Sequence, residues 1–317
     1  MPDRHERAAA TTRTTHPTGQ VVVIGSINID HVVRTDVFPA PGETVTGSDV
    51  HVGLGGKGAN QAVAAHIAGA DVRMLARIGD DAEGELARRR LAERGVDVSG
   101  VLAVSGSATG TAWITVTPQD NTIVVVPGAN ARWEDEQRVA SDAVTLAQLE
   151  IPLAVVERAA ARCTGRFVLN AAPARPLPDS LLAHCDVLIV NEHELRTVSG
   201  GPPVGNDITT IEAAHLALLD RGAGAVLTTM GAAGAALSDA HGTLTLRPYA
   251  ADVVDTTGAG DVCAGAIAAR LAEGDSLRDA ADWGMAAGSL AVRRAGAQES
   301  FPTATEITTL LQERTLA

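Results

Sequence analysis

A chain of 317 residues carrying a formal charge of −13 is long enough for one large α/β domain or two small ones, and it lacks the concentrated basic patch that a nucleic-acid surface needs. Aromatic residues make up only 2% while Gly alone numbers 32, so Ala, Val and Leu fill the interior, as suits Val-rich buried strands covered by Ala-rich helices. No apolar run approaches a membrane span. Cys163, Cys185 and Cys263 are widely spaced and form no CxxC pair, which excludes a disulfide framework or a zinc site and points to a reduced, cytoplasmic setting.

Residues 1–19, rich in Thr, Ala, Arg and His without an apolar centre, read as a disordered tail and not a signal peptide. Order begins at Gln20, where Val21, Val22, Val23 and Ile24 make the apolar run of a buried parallel strand ended by Gly25. Beyond it come Ser26, Asn28 and Asp30. Ligands of an open α/β sheet bind past the carboxyl ends of its strands, so Asn28 and Asp30 are placed to hydrogen-bond sugar hydroxyls, with an Asx turn as the alternative. Residues 29–33 and 43–52, β-branched and separated by Pro39-Ala40-Pro41-Gly42, form a small sheet outside the main alternation, a lid or a dimerisation surface.

Gly53-Leu54-Gly55-Gly56-Lys57-Gly58-Ala59-Asn60 then opens an Ala-rich helix over residues 61–68. It superficially resembles a P-loop, but Gly58 follows Lys57 where that motif needs a hydroxyl for Mg²⁺, so a Walker ATPase is excluded. Lys57 and Asn60 are left as ligand donors on a backbone open to close approach. Strand and helix alternate afterwards: residues 72–78, a helix over 82–93, a hairpin of 113–117 and 122–126, and short apolar strands at 144–149, 166–170, 187–190 and 225–229. This is the pattern of a doubly wound, mostly parallel α/β sheet flanked by helices. Glu150 falls at a strand's carboxyl end. Asn191 and Glu194 share a helical face, suited either to a phosphate-bound metal or to a capping box. Thr229-Met230-Gly231-Ala232-Ala233-Gly234 is a second flexible turn.

Between an extended segment reaching Val253-Val254 and a buried helix over 262–271 stands Asp255-Thr256-Thr257-Gly258-Ala259-Gly260-Asp261. Unpaired N–H groups of Gly258, Ala259 and Gly260 at a helix start make an anion site, and Asp261 beside it is the right group to accept a proton from an attacking hydroxyl. Taken alone, a Gly-rich turn with an Asp cap accounts for the stretch equally well.

Several of these motifs, in order, resemble the PfkB carbohydrate kinases, also called the ribokinase family. They are Gly-Ser-Ile-Asn-Ile-Asp at 25–30, Phe-Pro-Ala-Pro-Gly-Glu-Thr-Val at 38–45, Gly-Gly-Lys-Gly-Ala-Asn-Gln-Ala at 55–62, Asn-Ala-Ala-Pro-Ala-Arg at 170–175, Asn-Glu-His-Glu at 191–194 and Asp-Thr-Thr-Gly-Ala-Gly-Asp at 255–261. The likeness runs from about Val21 to Pro302 and is greatest to the bacterial branch that phosphorylates ribose. It implies ATP-dependent phosphorylation of D-ribose at the 5-hydroxyl. Asn28, Asp30, Gly56, Lys57, Asn60 and Glu150 would hold the sugar, Asp261 would be the general base, and Gly258, Ala259 and Gly260 the anion hole. Asn191, Glu194, Thr229, Gly231, Gly234, Gly260 and Met285 would face ATP and its Mg²⁺. A monovalent cation, K⁺, would be held by Asp255, Thr257, Ala291, Arg294, Gly296 and Ser300, and the lid would join a homodimer. Met285 departs from the His or Asn that relatives often place near adenine, and Ala171 from a Pro. Trp113 and Ile123 would shape the pocket wall. A deoxyribose or ribonucleoside kinase, or a sugar sensor without turnover, are the rival readings; a NAD dehydrogenase is disfavoured because no Gly-x-Gly-x-x-Gly follows the first strand.

Overall fold

The Val-rich run after Gly19 forms β1 (Gln20–Ile24), and its neighbours decide where everything else lies. In the computed structural model, which describes residues 19–133, 143–200 and 207–316, β1 is followed by β2 (Asn28–Arg34), β3 (Asp49–Gly55), α1 (Lys57–Ile67), β4 (Asp71–Gly79), α2 (Ala82–Glu93) and β5 (Asp97–Val104). A hairpin of β6 (Gly110–Val116) and β7 (Asn121–Val126) leads to β8 (Val144–Ala147), α3 (Leu153–Arg162), β9 (Phe167–Asn170), α4 (Asp179–Leu182), β10 (Val187–Asn191) and α5 (Glu192–Ser199). The remainder is α6 (Ile208–Asp220), β11 (Val226–Thr229), β12 (Ala235–Asp239), β13 (Gly242–Leu246), α7 (Ala259–Ala272), α8 (Leu277–Ala291) and α9 (Ala304–Leu316). The tail expected over residues 1–19 lies, apart from Gly19, outside the described residues.

Nine strands make the main sheet in the order β13-β12-β11-β10-β9-β8-β1-β4-β5. It is parallel from β11 to β5, with β12 and β13 running antiparallel at one edge. Alternate side chains of β1 enter different cores: Val21 and Val23 pack with α1, α2, α7, α8 and α9, whereas Val22 and Ile24 pack with α3 to α6. Helices thus cover both faces, as a doubly wound sheet requires. No described helix is long and apolar enough to cross a membrane, and the three cysteines are free thiols.

The second sheet, β3-β2-β6-β7, has four strands. Its strands begin one residue earlier and end three later than the expected 29–52 excursion, and they include the expected hairpin, closed by Thr117 around Asp120. Every residue of β7 is exposed, so Ile123, Val124, Val125 and Val126 show apolar surface to solvent.

The structure departs from the expected elements at the edges. The second lid strand starts at Asp49, not 43, because β2 ends at Arg34, the partner of Asp49, and leaves no β2 residue opposite 43–47. β5, an edge strand interrupted by Asp97, Ser99 and Gly100, and the antiparallel β12–β13 hairpin were not expected. Residues 253–254 form no strand, and both valines are exposed. α1 starts at Lys57, four residues early, since Gly56 adopts φ 87° and turns the chain there. A Cβ on Gly56 would lie 2.8 Å from the Asn28 nitrogen, and one on Gly58 2.6 Å from the Ser26 nitrogen. Those glycines let α1 dock on the exit of β1, which accounts for them without a ligand.

Candidate active site

The strand order reverses at β1. From it the chain builds β4 and β5 on one side and then returns to lay β8 to β13 on the other, which leaves a crevice beyond the carboxyl ends of β1 and β8, the usual ligand position in such sheets. Across that crevice Ser26 Oγ donates to Glu150 Oε2 at 2.5 Å, and the backbone N–H of Lys57 donates to the same oxygen at 2.9 Å. Glu150 therefore joins the two strand ends to the first turn of α1, a favourable place for a carboxylate.

Asp261 enters from the opposite wall. α7 begins at Ala259 after Gly258, which sits in the left-handed region at φ 77°, so Asp261 occupies the first helical turn and is buried. Its Oδ2 accepts from Asn60 Nδ2 at 3.0 Å and its Oδ1 from Gln61 Nε2 at 2.9 Å. Lys57 Nζ lies 4.0 Å from Oδ1. The Asp261 carboxylate, followed by Glu150 and Glu194, raises the Lys57 pKa against the opposing effect of burial, so the ammonium stays charged through the neutral range. One cation thus faces three carboxylates, an arrangement open to a further polyanion only if positive charge comes with it.

The far end of the crevice is built by the lid. Asn28 Oδ1 accepts from Asn130 Nδ2 at 2.8 Å, while Asn130 also bonds both the N–H and the carbonyl of Ile27. That clamp fixes the Asn28 amide and leaves its Nδ2 for an outside acceptor. Asp30 packs against Gly55, where an added Cβ would fall 2.0 Å from its Oδ2. Burial, and then the charges of Glu150, Asp261 and Glu299, push the Asp30 pKa up to about 7.

This has a measurable consequence. An acid whose pKa rises on folding binds its proton more tightly in the native state, so the stability it contributes is full below about 4 and is lost as pH climbs toward 7. Asp30→Asn should therefore raise the melting temperature of the ligand-free protein at pH 8, by an amount equivalent to roughly 1–3 kcal/mol, and change it little at pH 4.5. Equal shifts at both pH values, read by scanning calorimetry, would mean that Asp30 is not a strained carboxylate.

A cavity of about 310 Å³ adjoins Asp261 and is lined by residues including Lys57, Asn191, Glu194, Thr229, Gly258 and Gly260. Of the residues expected to face a nucleotide, Asn191, Glu194, Thr229 and Gly260 gather here. Asn191 and Glu194 also form a complete capping box on α5, each accepting the other's backbone N–H at 2.8 Å. The capping-box reading of that pair holds. Burial raises the Glu194 pKa, with the Asn191 N–H and Lys57 acting against it. Gly231 and Gly234 bracket the short turn after β11 and are not in the cavity wall. Gly234 supports β13, since a Cβ there would lie 2.1 Å from the Leu246 carbonyl oxygen. Met285 packs in the core on α8 and also lies outside the cavity wall. Trp113 stacks on His31 at 4.4 Å and, like Ile123, is largely exposed.

Three of the residues expected to hold a cation, Asp255, Thr257 and Gly296, are linked by hydrogen bonds. Asp255 Oδ1 accepts from the N–H and hydroxyl of Thr257 at 2.9 and 2.7 Å, and Oδ2 from the Gly296 N–H at 2.9 Å. Burial opposes ionisation of Asp255, but these donors outweigh it and hold the carboxyl below its ordinary range. Ser300 Oγ donates to the Ala297 carbonyl at 2.7 Å. Arg294 pairs with Glu306, and Ala291 is buried at the end of α8. Among the described residues no cluster of three or more His, Cys, Asp or Glu side chains could hold a metal ion.

Reading the sequence missed the amides behind this wall: Gln61, Gln148, Asn130 and Gln298. The available signal was Gln61 itself, an amide amid the small apolar residues of α1, which has to find a buried partner.

The model of the pfkB family carbohydrate kinases matches residues 18–304. The chain belongs to that family. This kinase is 37% identical to a ribokinase of Haemophilus influenzae over 92% of its own length and 98% of the relative's. To a ribokinase of Bacillus subtilis it is 38% identical, with 92% and 99% covered. It superposes on the Arabidopsis thaliana ribokinase solved with ribose and ATP with a TM-score of 0.85 at 30% identity, spanning 93% of this chain and 99% of that one.

Proposed function

We propose that this kinase transfers the γ-phosphoryl group of ATP to the 5-hydroxyl of D-ribose, with Asp261 as general base. The observation that carries this is the burial of Asp261 at the start of α7, where amides hold both of its oxygens and Lys57 and the small residues Gly258 and Gly260 lie around it. Phosphoryl transfer needs positioning and charge stabilisation more than covalent chemistry. Asp261 takes the proton of the 5-hydroxyl as its oxygen attacks phosphorus and the bond to ADP breaks. The N–H groups at the head of α7 receive the charge on the transferring group. In the described conformation the Ala259 N–H already donates to the Thr256 carbonyl at 3.2 Å, so Gly258 and Gly260 supply the first contacts. A Cβ on Gly260 would meet nothing within 4 Å, which leaves that side of the helix start open to a phosphoryl group.

Asn28, Asp30, Lys57, Asn60 and Glu150 hold the sugar. Asn28 favours ribose over 2-deoxyribose, because its clamped amide is left unpaired when the hydroxyl is absent. Glu194, whose Oε1 stands outside the capping pair, and Asn191 fit an Mg²⁺ bound chiefly by ATP phosphates and water. Mg²⁺ would neutralise phosphate charge facing Lys57 and its carboxylate neighbours. The oxygen-only set around Asp255, one carboxylate with Thr257, Ser300 and the main chain of Ala291, Arg294 and Gly296, fits a large, weakly hydrated monovalent cation such as K⁺. It would order the turn that packs on Gly258, where a Cβ would lie 3.3 Å from the Ala297 Cα. The exposed valines of β7 support a homodimer joined through the small sheet, and the free cysteines agree with a cytoplasmic location.

The test is ADP release from MgATP with ribose, deoxyribose or ribonucleosides, in K⁺ or in Na⁺ alone. Ribose-dependent turnover that rises in K⁺ is expected. A higher kcat/KM on deoxyribose or a nucleoside would reassign the substrate within the family, and binding of ribose without turnover on any acceptor would leave a sugar sensor.

A further inference from the structure

Asp261 is held by more than its immediate neighbours. Two chains of buried amides converge on it. In the first, Gln148 Nε2 donates to Gln61 Oε1 at 2.6 Å, and Gln61 Nε2 donates to Asp261 Oδ1 and to Asn170 Oδ1, both at 2.9 Å. In the second, Gln298 Nε2 donates to Asn60 Oδ1 at 2.9 Å, and Asn60 Nδ2 donates to Asp261 Oδ2 at 3.0 Å. Gln61, Gln148 and Gln298 are all buried and come from α1, the end of β8 and the turn Gln298–Ser300. Adjacent amides of α1 therefore each fix one carboxylate oxygen, and each is held in turn from a separate part of the fold.

The outer ends of these chains are not fully satisfied within the protein. Gln148 Oε1 and Gln298 Oε1 are buried without a hydrogen-bond partner. A buried polar network is stabilising when every member is satisfied, and an unpaired carbonyl oxygen in such a place costs free energy. An apolar side chain of the same size would remove that unpaired oxygen but leave Gln61 Oε1 or Asn60 Oδ1 without its donor. What the amides supply there is their N–H groups, whose acceptors among the described residues, Gln61 Oε1 and Asn60 Oδ1, lead to Asp261.

We infer that Gln61 and Gln298 are positioning residues for phosphoryl transfer, each fixing one oxygen of Asp261 so that the carboxylate meets the attacking hydroxyl in a single orientation. The inference rests on the reading of Asp261 as the general base. Gln298 acts through Asn60, and it lies in the turn between Gly296 and Ser300, so it also links the base to the segment proposed to hold the cation. Neither glutamine lines the cavity beside Asp261, and neither touches substrate in this scheme.

The test uses two near-isosteric variants of the full chain. Gln298→Met removes the N–H donors together with the unpaired oxygen. Gln61→Glu keeps the acceptor for Gln148 but loses the donors to Asp261 and Asn170. Each is expected to lower kcat roughly 10- to 100-fold, as loss of an outer partner of a reacting group does, with ribose KM within about threefold of wild type. Gln298→Met exchanges one unpaired buried oxygen for another, Asn60 Oδ1, so its melting temperature should stay near that of wild type. In an Asp261→Asn background each should have little further effect, because the group it positions is gone. Wild-type kcat in both variants, or losses that simply multiply with that of Asp261→Asn, would overturn the inference. Full turnover in Asp261→Asn alone would instead overturn the base assignment, so the two failures are distinguishable.

Discussion

Asp261→Asn is expected to lower kcat roughly 10²- to 10⁴-fold, the range that general-base removal commands, while leaving the fold in place. The side chains are the same size, and Asn can still accept from Asn60 or Gln61 through its oxygen. What it cannot do is take a proton from a hydroxyl. The substitution also removes the carboxylate that contributes most to raising the Lys57 pKa, so the ammonium should titrate at lower pH in the variant. Ribose affinity, measured by calorimetry without nucleotide, should change far less than kcat, since a base acts chiefly in the transition state. A rate within tenfold of wild type at saturating substrates would place the base elsewhere.

The parts of the fold legible in the sequence were those governed by local pattern. The helix expected over residues 82–93 coincides with α2, because Asp81 caps it by accepting the Gly84 N–H and an apolar stripe of Ala87 and Leu91 faces the core. β1 and β8 to β11 announced themselves as short apolar runs because each is buried on both faces. β5 and β13 did not, since edge strands need no such run and are set by pairing with a neighbour already in place; β12, paired on both sides, reads Ala-Ala-Leu-Ser-Asp, too small and polar to make such a run.

The site divides in the same way. Asn60, Lys57, Glu150 and Asp261 could be named from motif spacing, and the fold brings them around one crevice. The amides behind them could not, because Gln61, Gln148 and Gln298 stand 87 or more residues apart wherever they bond outside their own helix. No periodicity reports such convergence. Gly231, Gly234 and Met285, named for a nucleotide, lie outside the wall of the cavity beside Asp261, in a turn, a backbone contact and a core.

The largest effect on stability is expected away from the motifs, at Gly265. It lies one helical turn beyond Asp261 on α7, where that helix crosses α1. A Cβ there would fall 2.5 Å from the Gln61 carbonyl oxygen, 2.7 Å from the Ala64 Cβ and 2.9 Å from the Ala65 nitrogen. Two of these are backbone atoms of a helix packed in the core, so neither can rotate away. Gly265→Ala must separate α1 from α7, at a cost of roughly 1–3 kcal/mol for overpacking despite the better helix propensity of Ala. The melting temperature should fall by several degrees. The same separation stretches the bonds by which Asn60 and Gln61 on α1 hold Asp261 on α7, so kcat should fall as well, measured well below the new melting temperature. Gly288→Ala on α8 is the control, because its Cβ would meet nothing closer than the Ala259 carbonyl oxygen at 3.4 Å, an ordinary contact. Were both variants to melt and turn over alike, the close crossing of α1 and α7 would not be what fixes the base.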